Sequence, residues 1–262
     1  MLKRFIYFLV TATFIASIAL LCYVNKYQIF SFFDAQKILK PAEQIQNFLA
    51  TSTVSDTTNT NLIGVIKIPS STAVIIEYDQ TGKTISEWAG TGNDVVINGG
   101  YFNEDYSPSG FLVVNKKRIG DKIFDQDKSG LIEIKNGKIN IRDLNEMPIQ
   151  ENEEFEFALQ SYPFLIKNYQ PALESDSGKK ARRSALGIDE NGDVYLFVAD
   201  FPYLSLYEFM NEIIKTGIKF SNVINLDGGP STGIYVNTDA EQFFIDSYTK
   251  VPSIIRFLKT VD

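Results

Sequence analysis

Histidine is absent from the 262-residue chain, which rules out every His-based triad, His general base and His metal site. Cysteine occurs once, as Cys22 inside an apolar run, so there is no internal disulfide and no thiolate metal cluster. Positive charge is in deficit: 25 Lys and Arg against 32 Asp and Glu leave a net charge of -7. The resulting pI of about 4.8 goes with a surface lacking the basic footprint that nucleic acid requires. No internal repeat is present. Chemistry must therefore come from carboxylates, hydroxyls, arginine, lysine and backbone. With 44% hydrophobic residues, the length supports one sizeable core with attachments.

One long uncharged run exists. Residues 5–24 carry no charge and follow Lys3 and Arg4, and a span of that length matches a bilayer core of roughly 30 Å. No small-x-small cleavage site follows, and Leu21 stands where a lipoprotein box before Cys22 needs a small residue. An uncleaved signal anchor over residues 1–26 is expected, crossing the cell membrane once and leaving the rest of the chain extracytoplasmic. Residues 27–61 read as a juxtamembrane helix interrupted by Pro41 and then a Ser/Thr-rich linker with little to bury, which puts the folded domain at 62–262.

The expected fold class of that domain is α+β, a strand-rich mixed sheet with a few helices. Strands are expected at 63–68 and 73–78 and, after the turn Asp79-Gln-Thr-Gly82, again at 83–88. The clearest hairpin alternates on both sides of Asn136-Gly137. Residues 194–199 read as a strand ending on Asp200. Ser205 with Glu208 makes a capping box, Leu206, Phe209, Met210, Ile213 and Ile214 form an apolar helical face, and Gly217 closes the helix. A helical crossover joins parallel strands most often, so the next strand, at 222–226, should end on the same sheet edge, which Asp200 and Asp227 would share.

That last strand stops on a carboxylate. Asp227 is followed by Gly228, Gly229, Pro230, Ser231 and Thr232, an acid with bare amides and hydroxyls suited to a sugar or a phosphate. The same residues also read as a plain Gly-Pro turn between core strands. A third strand, 94–97, ends likewise on Asn98-Gly-Gly-Tyr-Phe102. Two such endings favour a site beyond the strand ends. In the basic cluster 179–183, Lys179 and Lys180 read as a solvated face. Arg183 runs into a strand, where an inward guanidinium needs an anionic partner and suits a phosphate. Asp105, Asp125, Asp127 and Asp176 read as solvated loop acids.

Taken in order, Asn98-Gly-Gly-Tyr-Phe102, Gly110, Gln160-Ser-Tyr-Pro163, Arg183-Ser-Ala-Leu-Gly187, Asp200 and Asn225-Leu-Asp-Gly-Gly-Pro-Ser-Thr232 resemble the phosphodiester glycosidase family over about residues 62–258. The Asn-Leu-Asp-Gly-Gly block is the specific one. Two departures stand out: Phe201-Pro202 follows the acid where members often carry Gly-Arg, and Pro230 replaces a frequent third glycine.

The resemblance implies hydrolysis between a sugar's anomeric carbon and a phosphodiester oxygen, on an envelope or exopolysaccharide glycan. It implies Asp227 at the anomeric centre, Arg183 on the phosphate and Asp200 as second carboxylate. Substrate contacts are implied from Asn98, Gly99, Gly100, Tyr101, Phe102, Gln160, Asn225, Gly228, Gly229, Ser231 and Thr232. No cofactor is required, because a phosphate leaves as an anion; a divalent cation is compatible with the oxygen ligands. Two other readings stay open: a tethered module that binds sugar phosphates without cleaving them, which could dispense with Asp227, and a structural envelope domain with no site at the strand ends.

Overall fold

The structure, a computed structural model, describes residues 62–68, 72–90, 94–123, 125–237 and 242–258. The expected membrane anchor and linker, residues 1–61, lie outside the described residues. Among the described residues no helix is long and apolar enough to cross a membrane.

In chain order, strands β1 (Gly64–Ile68) and β2 (Ala73–Lys83) lead to a one-turn helix α1 (Ile85–Trp88) and to β3 (Asp94–Asn98). Next come β4 (Leu112–Val114), β5 (Lys117–Gly120), β6 (Gly130–Lys135), β7 (Lys138–Asp143), β8 (Phe157–Ser161), β9 (Phe164–Lys167) and β10 (Gln170–Pro171). The chain continues through β11 (Ala181–Asp189), β12 (Val194–Leu204), helix α2 (Leu206–Lys215), β13 (Phe220–Asn225), β14 (Ile234–Asn237), β15 (Gln242–Ile245) and β16 (Val251–Leu258). These strands form a six-stranded sheet ordered β1-β12-β11-β13-β9-β10 and two five-stranded sheets, β15-β14-β3-β16-β2 and β5-β4-β8-β6-β7.

The three sheets share one core. Ile66, Leu186, Leu196 and Ile224 of the first sheet meet Ile76, Ile97 and Ile255 of the second and Leu112, Ile132 and Leu159 of the third. A second cluster fills the opposite face of the six-stranded sheet, where Phe209, Met210 and Ile213 of α2 cover Ala185, Phe197 and Val223. Alternation along β11 therefore sends successive side chains to different cores. A buried ionic cluster ties the second sheet together: Arg256 on β16 pairs with Glu77 on β2 and Asp94 on β3, and its Nη2 donates to Trp88 O at 2.8 Å.

Several expectations hold. The hairpin is β6–β7, with Asn136 and Gly137 both at positive φ, as the strand twist demands of a two-residue turn. The capping box starts α2, and Gly217 takes the left-handed conformation after it. Four expectations are corrected. The sheets are not mixed, since every strand pairing among the described residues is antiparallel. The strands flanking α2 do run parallel to each other, but β11 lies between them and pairs antiparallel with both. Residues 85–88 are helical rather than extended, because Thr84 and Glu87 form a second capping box. Strand β12 runs past Asp200 to Leu204, and Ile214 of α2 is exposed.

Candidate active site

Asp227 follows β13 and is fixed from two sheets through its backbone. Its N–H donates to Gly99 O at 3.1 Å, and its carbonyl accepts from Asn98 Nδ2 at 2.7 Å and from Ser184 Oγ at 3.0 Å. Asn98 Oδ1 in turn accepts from Gly233 N at 3.1 Å, so a fully buried asparagine at the end of β3 clamps both ends of the Asp227 loop. Gly99 and Gly100 are glycine for close approach, not for a turn. A Cβ on Gly99 would lie 2.9 Å from Ser253 O, and one on Gly100 2.9 Å from Gln160 O. Gly229 is the residue that needs a left-handed backbone, with φ of 61°.

The Asp227 carboxylate is mostly enclosed yet keeps a solvent-facing part. Burial pushes its pKa up from 3.8 to about 6, against opposing hydrogen bonds from the Ser231 hydroxyl and the Gly228 amide. The Tyr101 hydroxyl stands next to it. Burial raises the Tyr101 pKa, the Asp227 charge raises it further, and the Arg183 charge opposes the rise, so the phenol feels both the acid and the arginine. Asn225 Nδ2 donates to that phenol at 2.7 Å. The same nitrogen reaches two carbonyls, Tyr162 O at 3.1 Å and Leu226 O at 2.6 Å, which identifies it as the amide nitrogen and makes Tyr101 the acceptor. The phenolic proton is left for another acceptor.

Arg183 closes the other side. Its Nε donates to Leu204 O at 3.0 Å and its Nη2 to Lys179 O at 2.6 Å. Nη1 faces Gly228 without a carboxylate partner, 3.5 Å from where a Cβ on that glycine would sit. Burial lowers the Arg183 pKa and Tyr101 opposes the shift. The floor of the site is aromatic: Tyr101 stacks on Tyr162 with centroids 4.3 Å apart, and Lys128 Nζ lies 5.2 Å from the Tyr162 ring centre.

Tyr162 extends from β8 of the third sheet, so the site is a junction of three sheets rather than the edge of one. Residues 91–257 match the phosphodiester glycosidase family, more than half of the chain. The chain belongs to that family. Solved structures of the same fold include the zebrafish N-acetylglucosamine-1-phosphodiester alpha-N-acetylglucosaminidase catalytic domain, auto-inhibited by its pro-peptide. That match has a TM-score of 0.55 and 15% identity, covering 76% of this chain and 82% of that one. A hypothetical protein from Synechocystis aligns with a TM-score of 0.50 at 15% identity, over 75% of this chain and 59% of that one. At such identities the likeness shows the fold. No curated protein matches the chain by sequence.

The geometry sorts the residues expected from the family blocks. Asp227, Arg183, Tyr101, Asn225, Gly228 and Ser231 come together. Asn98 and Gly99 lie directly behind them, holding the Asp227 backbone; the Gly99 amide donates to Ser253 O at 2.8 Å. Thr232 is fully buried with an unpartnered Oγ1. Phe102 stacks on Tyr106 and packs with the core around α1. Gln160 is a backbone tie: Oε1 accepts from Phe111 N at 3.0 Å and Ile123 N at 2.9 Å, and Nε2 donates to Ile123 O at 3.1 Å and Lys128 O at 2.7 Å. Gln160→Leu is therefore expected to cost about 3 kcal/mol of stability, read as a shift of the urea midpoint, because one buried and three half-buried backbone groups lose their partner.

Asp200 differs most from its expected place. Its Oδ1 receives Arg182 Nε at 2.5 Å, and it is not among the groups that shift Asp227. The inward arginine with an anionic partner is thus Arg182, not Arg183: the alternation of β11 turns Arg182 towards the inter-sheet side and Arg183 towards the face that α2 covers. Arg182 Nη2 also donates to Asp246 O at 2.8 Å, and its guanidinium lies 4.0 Å from the Tyr248 ring centre. Tyr162 and Ser184 lie in the family blocks and Arg182 in the basic cluster, but neither they nor Lys128 were given a role from the sequence. Among the described residues no three acids gather to hold a metal ion. A groove of about 540 Å³ outside this site, lined by Phe111, Arg118, Glu153 and Phe155 among others, contains none of the candidate residues.

Proposed function

We propose that this phosphodiester glycosidase domain hydrolyses the bond between a sugar's anomeric carbon and a phosphodiester, on an envelope or exopolysaccharide glycan, held outside the membrane by residues 5–24. The observation that carries the reading is the clamping of Asp227 by Asn98, Gly99 and Ser184, with Arg183 Nη1 against the adjoining Gly228. In the reaction, the anomeric C–O bond breaks and its electron pair leaves with the phosphate oxygen. A phosphate monoester, with a second pKa near about 6, departs as an anion and needs no proton from a histidine. Arg183 Nη1 and the Tyr101 O–H would meet the phosphate oxygens as charge builds on them. Asp227 would face the oxocarbenium-like carbon, taking a proton from the attacking water or attacking the carbon itself. Asp200, bound to Arg182, supports the wall of the site rather than the anomeric centre.

The test is to incubate the full chain with a panel of sugar-1-phosphodiesters, with and without chelator. Equal amounts of reducing sugar and phosphomonoester are expected. No sugar released over hours, with the diesters still bound, would turn the reading to a binding module. The pH dependence follows from the acid: Asp227 acts ionised, so kcat/KM should climb with pH along a limb of apparent pKa about 6 and level off above it. A profile flat between pH 5 and 8 removes Asp227 from the chemical step.

A further inference from the structure

Beyond Arg183, the edge of the six-stranded sheet carries an aromatic arm that the reaction above does not use. Strands β11 and β12 pair at Arg183↔Ala199 and next at Ala181↔Leu204, so β12 advances five residues while β11 advances two. The excess stands out from the ladder as Asp200-Phe-Pro-Tyr203. Both ends of this bulge are pinned by the neighbouring arginines: Arg182 Nε holds Asp200 at its start, and Arg183 Nε holds Leu204 O at its end. Between the pins, Phe201 and Tyr203 are 67% and 45% exposed and meet edge to face with centroids 6.0 Å apart. Two large rings held out in solvent cost stability unless something covers them, and bulges commonly re-aim side chains beside active sites.

The order of contacts says what would cover them. Arg183 presents Nη1 towards Gly228, the residue after Asp227, and its Nε towards Leu204 at the end of the bulge, so Gly228 and the arm lie at different edges of the phosphate-binding arginine. A diester whose anomeric carbon faces Asp227 and whose phosphate meets Arg183 must send its other ester group towards Phe201 and Tyr203. We propose that this arm is a subsite for a pyranose ring on the alcohol side of the phosphodiester, resting on the hydrolase reading for its orientation. Ring faces stack on the C–H face of a pyranose, and the phenol supplies a hydrogen bond to its hydroxyls. The surroundings suit a sugar better than an acyl chain, because the bulge is framed by the Arg182–Asp200 and Lys180–Glu208 ion pairs.

The experiment compares the full chain with its F201A/Y203A variant on three diesters of one sugar-1-phosphate: a pyranosyl, a methyl and an octyl ester. The wild type should favour the pyranosyl over the methyl ester by about five- to tenfold in kcat/KM, the scale of an aromatic face withdrawn from water. The variant should bring that ratio near one while turning over the methyl ester as before. An unchanged ratio overturns the subsite. A preference for the octyl ester that the variant abolishes overturns the pyranose assignment. If the wild type cleaves none of the three, the hydrolase reading fails and the subsite is judged by titration calorimetry with the pyranosyl diester. Binding weakened in the variant then supports it, and binding unchanged overturns it.

Discussion

Asp227→Asn is expected to lower release of free sugar by about 10²- to 10⁴-fold and, in the same protein, to raise stability at pH 7.5. The two effects share one cause. The carboxylate is held in a mostly enclosed site where burial pushes its pKa to about 6 from an ordinary 3.8, so the folded state holds the proton more tightly than the unfolded chain does. The stability tied to that proton is complete below about pH 4 and is lost as pH rises through about 6. At pH 7.5 the folded protein carries an unfavourable buried charge worth on the order of 3 kcal/mol. Asparagine keeps an oxygen for the Ser231 hydroxyl and the Gly228 amide but never ionises. Thermal unfolding of both proteins across pH should show the variant melting higher at pH 7.5, with the gap closing towards pH 4. A variant equally active, or less stable than wild type at every pH, would sink the assignment of Asp227 as a strained catalytic acid.

This strain also explains how much of the site could be read in advance. Asp227 was legible because a buried strand ending on an acid, two glycines and two hydroxyls contradicts the local preference for an uncharged core, and such contradictions gather at functional sites. The hairpin at Asn136-Gly137 and the helix from Ser205 were legible for the opposite reason: turn chemistry, capping and periodicity all agreed there. Register was not legible. Two adjacent arginines entering a strand guarantee that one faces inward, but only the pairing of Arg183 with Ala199, and the bulge that follows, decides which. The acid partner accordingly went to Arg182, which holds Asp200.

The roles of Tyr162 and Ser184, both inside the family blocks, were not legible for a related reason. Tyr162 follows β8 of the third sheet and meets Tyr101 only because the sheets pack around one core, while Ser184 reaches Asp227 from β11 across its pairing with β13, and neither long-range relation leaves a local signal. Tyr162 did carry a faint one, an aromatic beside a proline at a strand end. The expectation of a single mixed sheet failed at the same level. The crossover through α2 indeed joins strands of the same direction, but nothing local shows that β11, made from the preceding segment, slots between them.

Arg183→Ala is expected to lower kcat/KM by about 10²- to 10³-fold, the scale of removing one preorganised donor from a developing anion. The neighbouring arginine supplies the control. Arg182 is 3% exposed and pairs with Asp200, so its removal strands a mostly buried carboxylate and should cost roughly 3 to 5 kcal/mol of stability. Among the described residues Arg183 holds the Leu204 and Lys179 carbonyls, and its loss should cost about 1 to 3 kcal/mol. Product inhibition separates a phosphate-binding role from a structural one. Inhibition by the released phosphomonoester should weaken sharply in Arg183→Ala, while inhibition by the free sugar, which meets Asp227 instead, stays as in wild type. Lysine at position 183 should not restore the rate, since a single ammonium nitrogen cannot stand at the separate positions from which Nε, Nη2 and Nη1 reach Leu204, Lys179 and the space beside Gly228. Equal weakening of both inhibitors would mean that Arg183 shapes the site without touching phosphate.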